Sequence, residues 1–452
     1  MIRTLSAFAA ACHGQLQGAD REYDEVAIDT RRLAPGNLFV ALKGQHADGH
    51  SFLPAAQAAG AAGALVAHRA ELPLPQILVS DVEHALSAAA RAARADFHGI
   101  VIGVAGSNGK TTVKEMLSTI LARSGACLAT RGNLNNHLGV PITLLRLRDS
   151  HRSAVIEMGA NRAGDVAQLV QIARPSIGLV TNAGAEHLEG FGSLEGAARA
   201  EGEMVAGLPA HGAAIINADD EFAPLWRGMS TAPTVTFGLR PEADFRAEEL
   251  HWEAHADGFR AGFHLICPQG TTPVTLQLAG RHNVQNALAA AAAAVSAGAT
   301  LPDVAAGLSA MRAVKGRLQL HRTRHGAWLI DDSYNANPSS VRAGLQVLGD
   351  LPGRRWFVLG DMAELGGFAD ASHREIGEFA RSLGVERLYA FGPLAGLAAD
   401  AFGAGARRFD TPAEVARALD GELTADVRLL VKGSRSNRLE RVVDALVAPG
   451  PA

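Results

Sequence analysis

Gly106-Ser107-Asn108-Gly109-Lys110-Thr111-Thr112 has the residue types and spacing that grip phosphate. Glycines let backbone N–H groups turn toward anionic oxygens, and a helix that opens just after them adds partial positive charge. In such a loop Lys110 reaches the terminal phosphates and Thr111 offers its hydroxyl to magnesium, so ATP and Mg2+ are the expected ligands. The longer Walker spacing needs glycine at position 104, where Val104 stands; the shorter Gly-x-x-Gly-Lys-Thr form is intact. A plain glycine-rich turn has no need of a lysine and a threonine in register. A dinucleotide fingerprint has no use for a cation at Lys110.

The loop must sit between a strand and a helix, and the flanking residues supply both. Ile100-Val101-Ile102-Gly103-Val104 is a short apolar run suited to a buried parallel strand. Val113, Met116, Leu117, Ile120 and Leu121 recur on one helical face, and Gly125 offers a stop. Glu157 ends a second such strand, Ala154-Val155-Ile156. A carboxylate at the carboxyl end of a parallel strand points into the ligand crevice and suits magnesium. A solvated strand-end charge is an equal reading of Glu157 from the residues alone. His187, just past the strand Gly178–Thr181, reads by itself as an ordinary loop histidine. Glu201, on a helix that starts after Ser193, reads by itself as a solvated helix face.

The chain has 452 residues, 48% hydrophobic and 19% charged, with a formal net charge of −4. That length suggests about three domains at ~100–200 residues each, and the composition argues for packed cores. No basic excess points to nucleic acid or to an anionic membrane surface. Cys12, Cys127 and Cys267 form neither a zinc spacing nor a disulfide framework, which fits a reducing compartment. The first residues are predicted to form a small amphipathic helix from Thr4 rather than a signal peptide, because they lack a proper apolar core. The apolar stretch Ala287–Ala299 falls short of a bilayer span, so no membrane insertion is expected and the cytoplasm is the expected location.

An α/β protein is predicted, in three blocks. Residues 1–82 carry strand-like Asn37–Leu42 and Ala64–Val66, with an alanine-rich helix Phe52–Ala62 between them. Residues 83–313 open with a helix, Glu83–Phe97, and hold the phosphate loop on a parallel sheet that also includes Ala214–Ile216. An antiparallel insertion over Val235–Leu278 and a helix Asn283–Ala297 complete that block. Residues 314–452 alternate again, with strands Trp328–Asp331, Trp356–Leu359, Leu388–Phe391 and Arg428–Val431 and helices from Ser340, His373, Ala413 and Leu439. This is the pattern of a second doubly wound, Rossmann-like unit.

Nearly the whole chain resembles the Mur ligases, a family of peptidoglycan precursor synthesis. The first block carries Asp29-Thr30-Arg31-Arg32, Pro35–Gly44 and Asp48-Gly49-His50. The second carries the phosphate loop, Gly132-Asn133-Leu134-Asn135-Asn136, Glu157-Met158-Gly159-Ala160-Asn161, His187–Gly192 and Gly280-Arg281-His282-Asn283 with Asn286. The third carries Gly316-Arg317, Asp332–Pro338, Gly360–Gly366 and Lys432-Gly433-Ser434-Arg435. The Asn133–Asn136 and Tyr334–Pro338 runs resemble the branch that joins D-alanyl-D-alanine to a UDP-N-acetylmuramoyl-tripeptide, against the branch adding the third residue and against folylpolyglutamate synthases.

The resemblance implies an ATP-dependent amide-bond ligase working through an acyl phosphate, with a monomer as the simplest assembly. It implies that Thr30, Arg31 and Lys43 lie in the domain holding the UDP-sugar, and that Asn133, Asn135 and Asn136 meet the substrate beside the phosphate loop. Lys110 would neutralise phosphate charge. Thr111 and Glu157 would hold one magnesium ion and His187 would help hold a second. Asn283, Asn286, Arg317, Asp332 and Tyr334 would surround the nucleotide from two domains, and Gly106 to Thr112 would cradle its phosphates. Asn335 and Asn337 would face substrate. Lys432, Ser434 and Arg435, at a strand-to-helix turn, suit a carboxylate or the incoming dipeptide. Many Mur ligases carry a carbamylated lysine at the position aligned with Glu201. Glutamate also ends in two anionic oxygens, so Glu201 is expected to give the second magnesium its carboxylate directly.

Overall fold

The structure, a computed structural model, describes residues 2–44, 47–186, 188–255 and 258–447. The predicted amphipathic helix is Leu5–Ala11; the Thr4 hydroxyl accepts from the Ala7 N–H as its cap, and Leu5, Phe8 and Ala9 are buried. It packs beside a five-stranded sheet in the order Gln15–Gln17, Gln76–Leu78, Gly63–Val66, Leu38–Val40, Val26–Ala27, antiparallel only at its first pair. The helix expected over Phe52–Ala62 is the shorter Leu53–Ala58. Gly60 ends it, because at φ 82° the chain turns out of the helical path.

Six parallel strands form the central sheet, in the order Thr234–Phe237, Ala213–Asn217, Ile177–Val180, Ile100–Ala105, His151–Glu157, Ala126–Ala129. Their apolar runs are buried because helices cover both faces. The chain winds from Ile100–Ala105 first toward one edge and later toward the other. Open α/β sheets hold ligands outside the carboxyl ends of the strands where the winding reverses. Register sets Glu157 beside Val104 and Val180 beside Ala105, so both flank the phosphate loop.

Two glycines decide how close the next layer lies. A Cβ on Gly103 would sit 2.6 Å from Met204 Sδ, and one on Gly178 would sit 3.1 Å from Met204 and Leu208. Glycine at both places lets the Leu194–Ala206 helix press onto the sheet. Glu201, three residues before Met204, shares that inward face and is 2% exposed. The solvated helix face expected from its residue type alone is therefore not where it lies.

On the other side of the sheet, Arg281–Ser296 is buried along Ala287–Ala294 and packs against Val113, Met116, Leu117 and Ile120 of the Lys110–Leu121 helix. Alanine permits that close approach. Outside it lies an antiparallel sheet of Arg246–His255, Gly258–Cys267 and Gly270–Leu276. The insertion thus begins later than the predicted Val235, because Thr234–Phe237 pairs in parallel with Ala214–Asn217 and closes the central sheet. Among the described residues no helix is long and apolar enough to cross a membrane.

The last sheet runs Gln319–Arg322, Trp328–Asp332, Val427–Lys432, Arg354–Gly360, Arg387–Phe391, Ala406–Phe409, with the first strand antiparallel and the rest parallel. The edge strands and the Pro393–Phe402 helix were not among the predicted elements. Both edges are short and carry charged, partly exposed residues that dilute the strand pattern. The helix expected from Ser340 starts at Pro338, and Asn337 caps it in a capping box with Ser340.

Candidate active site

Gly109 turns into the Lys110–Leu121 helix at φ 86°, a left-handed conformation that favours glycine. A Cβ there would also lie 2.3 Å from Asn286 Oδ1. The first N–H groups of the helix have no carbonyl four residues back, so they face the crevice as phosphate donors. The preceding loop is pinned by the protein itself. The Gly106 N–H donates to Glu201 Oε2 at 2.6 Å, Ser107 N–H to Asn182 O at 2.9 Å, and Asn108 N–H to Asn182 Oδ1 at 3.0 Å. The Lys110 ammonium lies along the same loop, donating to the Gly106 carbonyl and, at 3.1 Å, to that of Ser107.

Glu157 stands beside the loop, 2% exposed. Its Oε1 accepts from Asn135 Nδ2 at 2.9 Å; its Oε2 is buried without a hydrogen-bond partner. Such an oxygen is costly unless a cation answers it. Its strand end is held by a relay: the Glu157 N–H donates to Thr130 Oγ1 at 3.0 Å, and fully buried Lys114 donates to Thr130 O at 2.8 Å. Among the described residues no three His, Cys, Asp or Glu side chains gather as a metal cluster. Magnesium needs no such cage, since it takes one or two carboxylates and completes its shell with phosphate oxygens and water. The orphaned Glu157 oxygen and the Thr111 hydroxyl beside the phosphate loop fit that habit.

Charge in the site is unbalanced. Burial alone would lower the Lys110 pKa, but Glu186, Glu201 and Glu157 outweigh it and raise it. Burial pushes Glu201 up to about 7 against the opposing pull of Lys110 and the Gly106 N–H. Burial also raises Asp332, opposed by Lys432. His282 is driven down to about 4 by burial and then by the Lys432 charge, so its imidazole is neutral.

A crevice of 610 Å³ joins these groups to the C-terminal sheet. Arg317 Nη2 donates to Thr111 Oγ1 at 3.1 Å, and its guanidinium lies 4.4 Å from the Tyr334 ring centroid. A strand–loop–helix phosphate cradle, an orphaned carboxylate and a second domain across the mouth are thus one site.

The sequence matches family descriptions in the same order. Residues 22–102 match "Mur ligase family, catalytic domain", 104–294 "Mur ligase middle domain", and 316–435 "Mur ligase, glutamate ligase domain". The chain belongs to the Mur ligase family. It is 44% identical over 452 residues to the UDP-N-acetylmuramoyl-tripeptide–D-alanyl-D-alanine ligase of Escherichia coli K12, covering 99% of each chain. It is 33% identical to the Bacillus subtilis enzyme of the same name, covering 98% of each. A crystal structure of MurF from Acinetobacter baumannii superposes with a TM-score of 0.88 at 34% identity over 97% of each chain. MurF ligase from Thermotoga maritima in complex with ADP gives 0.80 at 26% identity, covering 93% of this chain and 96% of that one. As a Mur ligase the chain is an ATP-dependent ligase that works with magnesium.

This Mur ligase brings most of the expected residues to one crevice. Ser107 to Thr112, Asn133, Asn135, Asn136, Glu157, Asn283, Asn286, Arg317, Asp332, Tyr334, Asn335, Asn337 and Lys432 all line it. Gly106 and Glu201 lie behind the loop rather than on the wall. His187 lies outside the described residues. Several side chains are already engaged. Lys432, 3% exposed, donates to Asp332 Oδ2 at 2.6 Å and to Asn335 O at 3.0 Å. Ser434 Oγ accepts from the Ala363 N–H at 2.8 Å, and Arg435 pairs with Glu440 at 3.5 Å, outside the crevice. Thr30, Arg31 and Lys43 belong to the N-terminal sheet's surface, with Arg31 exposed and paired to Asp29 at 2.8 Å.

Residue reasoning gave no role to several polar groups that line the Mur ligase crevice, among them Asn182, Glu186, Asp219 and His282. Asn182 brackets the loop, accepting from the Asn108 N–H and donating to the Asn108 carbonyl at 3.0 Å. Asp219 accepts from Gln285 Nε2 at 2.8 Å and from the Leu239 N–H at 2.7 Å. Each follows a parallel strand or opens a helix at the crevice, and that position was the available signal.

Proposed function

We propose that this Mur ligase joins D-alanyl-D-alanine to UDP-N-acetylmuramoyl-tripeptide, consuming ATP, as its relatives' names describe. The observation that carries the site assignment is the buried, unpartnered Glu157 Oε2 beside a phosphate loop. The tripeptide's free carboxylate attacks the γ-phosphorus, the bond from that phosphorus to the ADP oxygen breaks, and an acyl phosphate forms while ADP stays bound. The dipeptide amine then attacks the acyl carbon, loses its proton, and phosphate leaves. Two anions meet in the first step, so neutralising their charge dominates catalysis. Magnesium, when bound, would supply Lewis-acid charge at the terminal phosphates, with Thr111 and Glu157 to hold it; His187 would serve a second ion, and Glu201, behind the loop, would join it on releasing the Gly106 N–H. Lys110 moves its ammonium from the loop carbonyls to the transferring phosphoryl group. Asn283, Asn286, Arg317, Asp332 and Tyr334 hold the nucleotide.

Residues 1–82 hold the UDP-sugar through Thr30, Arg31 and Lys43, residues 83–313 bind ATP, and residues 314–452 close over it and receive the dipeptide near Lys432, Ser434 and Arg435. Asn133, Asn135 and Asn136 present the tripeptide to the loop. Closure excludes the water that would hydrolyse an acyl phosphate. The chain works as a monomer in the cytoplasm.

Phosphate release by the purified chain tests this reading. Release is expected only with ATP, magnesium, tripeptide substrate and D-alanyl-D-alanine together. ATP binding without amine-dependent release would make it a regulatory nucleotide-binding module instead. Stripping bicarbonate is expected to leave activity intact if Glu201 needs no carbamate; a strong bicarbonate requirement would remove Glu201 from that role.

A further inference from the structure

We infer that Asn337 and Ser339 are positioning residues for the phosphate loop, acting through Asn108 to carry the stance of the C-terminal domain into the nucleotide site. Three side chains close a ring of hydrogen bonds across the crevice. Asn108 Nδ2 donates to Ser339 Oγ at 3.0 Å, Ser339 Oγ donates to Asn337 Oδ1 at 3.0 Å, and Asn337 Nδ2 donates to Asn108 Oδ1 at 2.8 Å. Each member gives one hydrogen bond and takes one, so the ring is complete without help from solvent. Its partners are 229 and 231 residues apart in sequence, so it exists only when the two domains face each other as they do here.

Asn337 does two separable jobs. Its Oδ1 caps the Pro338–Gly349 helix by accepting from the Ser340 N–H at 2.9 Å. Its Nδ2 is surplus to capping and is spent on Asn108. On the loop side, Asn108 has no slack. Its N–H is held by Asn182 Oδ1 at 3.0 Å and its carbonyl by Thr181 Oγ1 at 2.6 Å. Pulling on the Asn108 side chain therefore pulls on the backbone next to Gly109 and Lys110. Gly184 lies directly under the ring, where an added Cβ would come within 3.0 Å of Asn108 Nδ2 and 3.2 Å of Ser339 Oγ. The bond from Arg317 to Thr111 ties the loop to the same domain at a second point. Both contacts fall on the segment that holds phosphate, so domain stance and nucleotide grip are coupled mechanically. This rests on the loop being the ATP site, as proposed above.

Asn337→Ser in the full chain tests the inference. Serine caps helices about as well as asparagine, but its shorter side chain falls short of Asn108. Ser339→Ala, at a helix position where alanine is favourable, removes both bonds of the Ser339 hydroxyl and leaves the capping bond from the Ser340 N–H to Asn337 Oδ1 in place. Both variants are expected to melt like the wild type, to raise KM for ATP about five- to tenfold on the scale of a net hydrogen bond, and to leave KM for the tripeptide and dipeptide substrates unchanged. Small-angle scattering of the ligand-free variants should show a larger radius of gyration. Asn108→Ala combined with Asn337→Ser should weaken ADP binding, measured by calorimetry, no more than Asn108→Ala alone, because Asn108 makes both bonds across the crevice. Unchanged KM for ATP in both variants, or additive losses in the double variant, would overturn the inference. So would an effect falling on KM for D-alanyl-D-alanine instead, which would make Asn337 a substrate contact. A wild-type chain lacking amine-dependent phosphate release would sink the ligase reading alone, because scattering and ADP binding still report on the ring.

Discussion

Two parallel sheets present their carboxyl ends to the same crevice, and they treat charge in opposite ways. At the end of Val427–Lys432 the Lys432 ammonium meets Asp332 at 2.6 Å, buried and closed on itself. At the end of His151–Glu157 the Glu157 carboxylate keeps one buried oxygen without a partner, and behind the phosphate loop burial pushes the Glu201 pKa up to about 7. The C-terminal sheet is finished as it stands and serves to position. The central sheet leaves one buried carboxylate oxygen open, and a bound cation would complete it. A buried pair resists removal of either partner, whereas an orphaned carboxylate marks where a ligand belongs.

The largest break in that comparison is Lys432→Met, which leaves Asp332 buried alone. It is expected to cost about 3–5 kcal/mol of stability, read by denaturant unfolding; a loss under about 1 kcal/mol would show that the pair is not structural. Next is Lys110→Ala, expected to lower kcat by about 10²–10³, or roughly 3–4 kcal/mol of barrier, with the melting transition intact. Near-normal turnover would remove Lys110 from the charge-neutralising role.

Glu201→Gln sharpens the contrast through pH. The folded pKa of about 7 lies above the ordinary glutamate value of 4.5. Stability from the protonated carboxyl is therefore full below the unfolded value and is lost as pH rises through the folded one. In metal-free protein the wild type should lose on the order of 3 kcal/mol relative to Glu201→Gln as pH climbs across that window. Parallel pH–stability curves for the two proteins would contradict the burial argument. The smallest effect is expected at Arg31→Ala, whose exposed ion pair should leave stability within about 0.5 kcal/mol. The same variant should raise KM for the UDP-sugar substrate if that surface holds it.

The phosphate loop was legible because its glycines, lysine and threonine state a requirement that few other structures share. The parallel strands were legible as short apolar runs between helices, and Glu157 as the residue ending one of them. Burial reversed some residue-type expectations. Glu201 and Lys114 look like helix-surface charges, yet both are buried: Gly103 and Gly178 admit the helix of Glu201 to the sheet, and Lys114 turns inward to donate to the Thr130 carbonyl at 2.8 Å. The Asn108–Asn337–Ser339 ring and the reach of Arg317 to Thr111 join residues more than 200 positions apart. Local pattern carries no trace of such contacts. Val235–Phe237 reads as part of the insertion because an edge strand of a parallel sheet and the first strand of a hairpin look alike until their partners are known.

Magnesium and nucleotide are expected to complete the open carboxyl end of the central sheet. Calorimetric titration of ADP into the purified chain, with and without magnesium and in parallel with Glu157→Gln, measures it directly. Magnesium is expected to tighten ADP binding to the wild type, and Glu157→Gln to abolish this gain while still folding. Equal ADP affinity with and without magnesium, or a magnesium effect that survives in Glu157→Gln, would contradict it.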